Sequence, residues 1–521
     1  MNANTTQEIS YPTEKNQFAA NLVANIIAFF VNFAISFFLT PFIIKYVGSE
    51  AYGFVNLGNN LINYVSIITL TLNSMASRFI ALRIHKNDFA GANKYFSSVI
   101  ISNVVLTLIL IIPTTLIVLF FDKFINIEAA LVPDIRLLWT LLFLNLFISI
   151  VTSAYSSAFF SANRIDLQSR NNIISYLLKG AVLVLCYLFF TAKTWYVGLA
   201  AFVSTVFVAL YSVKYSRKLF PNIRFSKKDF DLKAIKELIS SGVWNTVSRV
   251  GGLALNGLDL LISNVFISDS AMGTLAVANT VPNYVIAFNG TFSTVFIPQL
   301  TKIYAKGNID EFVKEVKSSF RILLFFNSII YGLLFSFSDV FYTLWLPTGS
   351  QNIELLYKIS MLTIAGCAIN AISVLMDNIF LVTNRLRFPS IAVIFAGITS
   401  ITITFLALKL TSLGLYAVAG VSVFVIIIRN IVLLLPYGAK CLGKPWHTFF
   451  PDMLMNIGVV ALAILIGFGI KNLLRLEATW LNLVLLCALT AVIIIAINFF
   501  LVLRKSDRQY ILSKVQKVFK R

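Results

Sequence analysis

The chain has 521 residues, 58% of them hydrophobic and 12% charged, with a mean hydropathy of +0.85, a balance that excludes an ordinary soluble domain. Apolar runs of roughly 20 residues or more recur throughout, long enough for a ~30 Å hydrocarbon core, whereas barrel strands would run about ten residues with alternating polarity. The formal net charge of +20 is dispersed through loops between those runs, which argues against nucleic acid as a partner.

The reading is therefore an all-α polytopic membrane protein. Met1 to Gln17 is polar and shows no cleavable signal pattern, and the first apolar run is too long for a signal-peptide core. Spans are expected at about 18–47, 54–84, 97–121, 136–161, 170–191 and 195–215. A basic connector follows, then spans at about 238–267, 274–304, 320–346, 355–384, 388–409 and 414–436. Two further runs near 450–470 and 479–503 bring the total to about 14. The expected organisation is an N-terminal six-helix lobe (1–215), a basic connector (216–237) and a C-terminal six-helix lobe (238–436). Two additional helices (437–503) and a basic tail (504–521) complete it.

Lys and Arg concentrate in the loops after even-numbered spans, such as Arg83, Lys86 and Lys94, then Lys306, Lys314 and Lys317. The positive-inside bias puts those loops and both termini in the cytoplasm. Two basic segments have amphipathic spacing, Asp231 to Ile239 and the tail from Arg504, and read as helices lying on the inner membrane surface. Cys186, Cys367, Cys441 and Cys487 are scattered without metal spacing, and His85 and His447 are the two histidines, so no metal site or cofactor is expected.

One stretch is repeated. Tyr46 to Val65 (YVGSEAYGFVNLGNNLINYV) and Phe266 to Val285 (FISDSAMGTLAVANTVPNYV) share Ala51/Ala271, Gly53/Gly273, Asn59/Asn279, Asn63/Asn283, Tyr64/Tyr284 and Val65/Val285. Six spans separate the copies, so the halves enter the membrane in the same sense, as in transporters built from parallel repeats around a cleft. A duplication that merely enlarges a bundle is the less favoured alternative.

Ionisable residues inside spans cost about 2.5–3.5 kcal/mol each on insertion scales and should face protein or water. They are Arg78, Lys179, Arg249, Asp259, Asp377 and Arg429. Arg78 and Arg429 lie close enough to span ends to snorkel, whereas Lys179 and Arg249 are the deeper cavity candidates. All four cations fall in the inner halves of their spans, which suits an anionic group such as a diphosphate arriving from the inner leaflet. Arg249 and Lys179 are assigned to phosphate capture, with Arg78 near the entrance. Asp259 and Asp377 are candidate counter-charges, H+ or Na+ coupling sites, or structural partners. Asn63, Asn283, Tyr64 and Tyr284 either hydrogen-bond sugars or tie helices together.

Several stretches carry a family resemblance: YVGSEAYG, NSMASRFIALRI, YSSAFFSANRIDLQSRN, SGVWNTVSRVGGLALNGLDLLISNVFI and IPQLTKIYAKGNIDEF. Together they resemble bacterial polysaccharide flippases of the multidrug/oligosaccharidyl-lipid/polysaccharide (MOP) exporter superfamily. The resemblance covers about residues 18–436 and implies two six-helix lobes in a V shape, with Asp259 as the typical carboxylate of its helix. It also implies transfer of a polyprenyl-diphosphate-linked oligosaccharide from inner to outer leaflet by alternating access, in the bacterial cytoplasmic membrane. Membrane lipids, a polysaccharide polymerase and assembly proteins are the implied partners. Span one lacks the carboxylate usual in cation-coupled multidrug antiporters, which stay an alternative, as does a peptidoglycan lipid-precursor flippase. An enzyme is disfavoured, because the longest outer loop, about Asp122 to Arg136, holds no clustered carboxylates or metal set.

Overall fold

The computed structural model describes residues 14–347, 352–503 and 508, and among them the regular structure is helical. The first half comprises α1 (Glu14–His85), α2 (Phe89–Phe120), α3 (Val132–Ser161), α4 (Ile165–Phe189) and α5 (Trp195–Leu219). The second comprises α6 (Leu232–Asn256), α7 (Asp259–Phe266), α8 (Asp269–Ala278), α9 (Thr280–Thr294), α10 (Ile297–Ala305) and α11 (Ile309–Trp345). After these come α12 (Ile353–Val382), α13 (Arg387–Leu410), α14 (Leu415–Arg429), α15 (Leu435–Cys441), α16 (Phe450–Leu474) and α17 (Trp480–Leu501).

Eleven of the described segments are long and apolar enough to cross a membrane, so the chain is a multi-pass membrane protein. The expected spans map onto them with three adjustments. The first two spans are two helices that follow each other directly within α1, separated by a sharp kink at Gly48, whose φ of +84° a side chain would resist. Span seven is broken at Gly257–Leu258 between α6 and α7, and span eight is divided among α8, α9 and α10. Neither broken span is among the eleven; counting α1 twice and adding these two recovers fourteen.

The repeat seen in the sequence persists in the local geometry. The bend at Gly48 falls in register with the break at Ser268, where α8 begins with the Ser268 hydroxyl accepting from Ala271 N. At the far end of each unit the chain turns through a left-handed residue, Asn87 (φ +57°) and Gly307 (φ +75°). The next residue caps the following helix in both: Asp88 Oδ1 accepts from Gly91 N, and Asn308 Oδ1 from Glu311 N. A further pair escaped the sequence reading. Asn163-Arg164 after α3 and Asn384-Arg385 after α12 are the same dipeptide with left-handed Asn (φ +53° and +55°) and the same closing bonds.

Contacts divide the chain into two compact units. Unit 1 contains residues 1–47 and 57–246; unit 2 contains 48–56 and 247–521. In unit 1, Leu72, Ala76, Ile80 and Ile84 of α1 recur every fourth residue and pack on Ala92, Phe96 and Ile100 of α2. Ala234 and Leu238 of α6 join that cluster. The amphipathic stretch from Asp231 runs directly into α6, with Leu238 fully buried on that cluster while Leu232 and Ile239 stay exposed. The basic tail lies outside the described residues, apart from Arg508.

Inside unit 1 neutral polar groups knot the helices. Asn73 and Asn103 exchange amide hydrogen bonds (3.1 and 3.0 Å), and Asn103 Nδ2 also donates to Ile150 O and Ser153 Oγ. The loop containing Asn163 and Asp166 pins the start of α1. Gln17 donates to Asp166 Oδ1, Asn21 to Asn163 O, and Arg164 grips Asp166 through two 2.9 Å bonds. Much of the SANRIDLQ stretch is thus a structural clasp.

In unit 2, α11 and α12 form the spine, and the last two helices lean on α11. A Cβ on Gly332 would sit 2.9 Å from both Ala463 and Ile494, so small residues set the close packing of α11 with α16 and α17. Lys471 Nζ reaches both oxygens of Asp339 at 2.6 Å, Lys317 pairs with the buried Asp452 at 3.3 Å, and Asn498 Nδ2 donates to Ser328 Oγ. The residue pair at the heart of the repeat also meets inside unit 2. A Cβ on Gly53 would lie 3.0 Å from Gly273 Cα, and one on Gly273 would lie 2.8 Å from Ser49 O. Gly at both positions lets these two backbones touch.

Candidate functional site

A polar and charged cluster of unit 2 forms where α14 meets α12. Pro436 has no N–H to donate back to Val432 O, and the chain answers by widening into a single π turn, Asn430–Leu434, closed by Leu435 N on Asn430 O. Arg429 stands at the head of that turn. Its Nε and Nη2 donate to Asn430 Oδ1 (3.3 and 3.0 Å), and Asn430 Nδ2 donates to Asn370 Oδ1 on α12 (3.0 Å). Asn430 is fully buried, so the guanidinium is oriented by an immobilised amide. Asp377 lies two turns after Asn370 on the same face of α12 and is exposed. Among the described residues it makes no direct ion pair, but Arg429 is the charge that acts on it. The next residue, Asn378, anchors this part of α12 by donating to Ser293 O on α9.

This arrangement sets an exposed carboxylate on α12 near a cation that Asn430 holds, so that each charge acts on the other.

The remaining predicted residues divide between the units. Unit 1 holds Arg78, Lys179, Asn63 and Tyr64; unit 2 holds Arg249, Asp259, Asp377, Asn283 and Tyr284. Arg78 and Arg249 are exposed, and Lys179 is half-buried on α4. None of these three cations has an ion pair among the described residues. Asp259 opens α7 directly after the Gly257 break, half-buried and likewise outside the ion pairs. Asn63 is half-buried and Asn283 exposed, whereas Tyr64 and Tyr284 both take part in contacts. Sequence reasoning set Arg429 aside as a snorkelling residue and did not weigh Asn370 or Asn430. The available signal was Arg-Asn followed by Pro436, an intramembrane charge just ahead of a helix breaker.

Fold and charge together define a polytopic helical membrane protein with unneutralised charges inside its spans, and known structures share that architecture. An inward-facing multidrug resistance MATE family transporter of the MOP superfamily matches with a TM-score of 0.62 at 14% identity, over 82% of this chain and 98% of that one. The lipid II flippase MurJ in its inward closed conformation matches with a TM-score of 0.62 at 15% identity, over 93% and 99%. A MOP superfamily transporter from Pyrococcus furiosus, described as having a binding pocket of reverse polarity, gives 0.63 at 15%, over 81% and 95%. The fold is therefore that of MOP-superfamily transporters. By sequence, residues 18–304 match the polysaccharide biosynthesis protein family, and the chain belongs to it. The uncharacterized membrane protein EpsK of Bacillus subtilis (strain 168) is 27% identical over 481 residues, 92% of this chain and 94% of EpsK.

Proposed function

We propose that this protein is a non-enzymatic flippase that carries a polyprenyl-diphosphate-linked oligosaccharide from the inner to the outer leaflet of the bacterial cytoplasmic membrane. The observation that carries the reading is the set of intramembrane cations Arg78, Lys179 and Arg249, unpaired among the described residues of a polysaccharide biosynthesis family member. A cation kept in an apolar helix without a protein counter-charge is stabilised when an anionic substrate supplies one. A diphosphate offers several acceptors to Arg forks and a Lys ammonium, and the lipid tail stays in hydrocarbon throughout.

In this reading residues 1–215 and 238–436 act as two lobes, with 437–503 as accessory helices and the basic loops and both termini in the cytoplasm. Binding groups are exposed alternately to the two membrane faces. Asn63, Asn283, Tyr64 and Tyr284 offer hydrogen bonds to sugars. Asp259 and Asp377 are the candidates for H+ or Na+ coupling, Asp377 being the more exposed of the two. A polymerase and assembly proteins would receive the flipped unit.

The test is transfer of a labelled polyprenyl-diphosphate-linked glycan across proteoliposomes. Lys179→Gln and Arg249→Gln should each slow transfer about tenfold or more, the scale of one lost charged hydrogen bond. Unchanged transfer in both would end the assignment of these residues, and absence of transfer by the unaltered chain would end the function.

A further inference from the structure

We propose that unit 2 carries a site for an anionic membrane phospholipid, formed where α15 ends beside the start of α13. The site takes from the proposed function only the presence of a bilayer, so the two stand or fall separately.

The sequence builds the site in three steps. The π turn forced by Pro436 sends Leu434 and Leu435 into the core and leaves Val432 60% exposed on the outer face. Phe388, at the start of α13, lays its ring 4.3 Å from that of Tyr437, closing the floor. Gly443, with φ of +65°, then reverses the chain so that Lys444 N bonds back to Ala439 O and Trp446 follows at the rim. The result is a cavity of about 500 Å³ with Phe388, Val432, Leu433, Pro436, Tyr437 and Trp446 as apolar walls, and with Lys440 and Lys444 also in its lining.

The two lysines differ. Lys444 is tethered to Asp310 and so is largely neutralised. Lys440 is exposed and has no acidic partner among the described residues. The lining thus carries a positive charge at Lys440, and the rest is an apolar wall of which Val432 and Trp446 are exposed.

That split selects the ligand class. A free phosphate has no use for six apolar walls, and a zwitterionic lipid gains little from the cation at Lys440. A phospholipid with net negative charge uses both parts: its phosphate meets Lys440, and an acyl chain lies along Phe388, Leu433 and Val432. Trp446 suits the boundary between them, with an apolar ring body and a polar N–H. The volume falls within the roughly 300–1,000 Å³ of small-molecule sites.

Native mass spectrometry of the full chain, exchanged into equal amounts of phosphatidylglycerol and phosphatidylcholine, tests the site. The chain should retain phosphatidylglycerol preferentially. Lys440→Gln should cut that preference roughly fivefold, as expected for one cation near an anionic headgroup. Lys440→Arg should keep it, and Lys306→Gln, an exposed cation in another basic loop, should leave it unchanged. No preference in the unaltered chain would overturn the site. An equal loss with Lys306→Gln would reduce it to diffuse surface charge, and displacement of the lipid by excess inorganic phosphate would show a simple anion site; either overturns it.

Discussion

The two units share local repeated features, yet two of their polar clusters are built differently. In unit 1, α1, α2 and α3 are tied by neutral amides and a hydroxyl, in which Asn73, Asn103 and Ser153 satisfy one another and Asn103 also reaches Ile150 O. In unit 2 the buried Asn430 holds a charge, Arg429, with Asp377 on α12, and the fully buried Asn327 of α11 has neither amide atom bonded among the described residues. A neutral, closed network fixes one geometry, whereas separated charges and an unsatisfied amide leave a region able to change partner. The Asn73–Asn103–Ser153 cluster therefore reads as the more rigid of the two, and the surroundings of Arg429 and Asn327 as the part able to respond.

The largest break in that contrast should come from the charges of unit 2. Asp377→Asn and Arg429→Gln should each lower glycan transfer about tenfold, and each should cost up to about 1 kcal/mol of stability by removing the attraction between the two charges. The exposure of Asp377 keeps the figure at the low end. The double variant should be less destabilised than the sum of the singles in a thermal unfolding cycle; strict additivity would show that the two charges do not communicate.

A smaller effect sharpens the comparison from its neutral side. Asn103→Leu should destabilise by about 1 kcal/mol, because Asn73 and Ser153 lose their shared partner in an apolar environment. Asn327→Leu, nearly isosteric, should be neutral or stabilising by about 1 kcal/mol, since it removes a buried amide that bonds to nothing. Matching losses in both, read by unfolding in detergent, would show that Asn327 has a partner in the working protein.

The smallest effect separates the two repeat-related caps. The Gly91 N–H, and after it the Arg83 guanidinium, hold the Asp88 carboxyl below its ordinary range. A depressed carboxylate stabilises above its unfolded pKa and loses that contribution as pH falls through the folded one, so the cap stays whole at neutral pH and weakens only in acid. The Asn308 amide, its counterpart, does not titrate. Hydrogen-exchange protection at Gly91 should fall below about pH 4 while the Asn308-capped amide of Glu311 changes less; parallel loss would deny the charge any part in the cap.

Much of this was legible in the chain itself. Apolar run lengths fix which segments can cross a bilayer, because in hydrocarbon a backbone must satisfy its own hydrogen bonds and a helix does so locally. The repeat was legible through Gly53/Gly273 and Asn63/Asn283, and the paired turns at Asn87/Gly307 and Asn163/Asn384 follow from residues that tolerate a left-handed backbone. Lys179 and Arg249 could be flagged as intramembrane cations from sequence alone.

Other features were decided only in three dimensions. That Asp231 to Ile239 opens α6 depends on what covers Leu238, and an amphipathic pattern is the same whether its apolar face meets lipid or protein. The role of Arg429 depends on the π turn ahead of Pro436 and on Asn370, 60 residues away on another helix. A residue's cost inside a membrane is written in its side chain, but its partner is set by packing, and packing brings together positions that no local pattern connects.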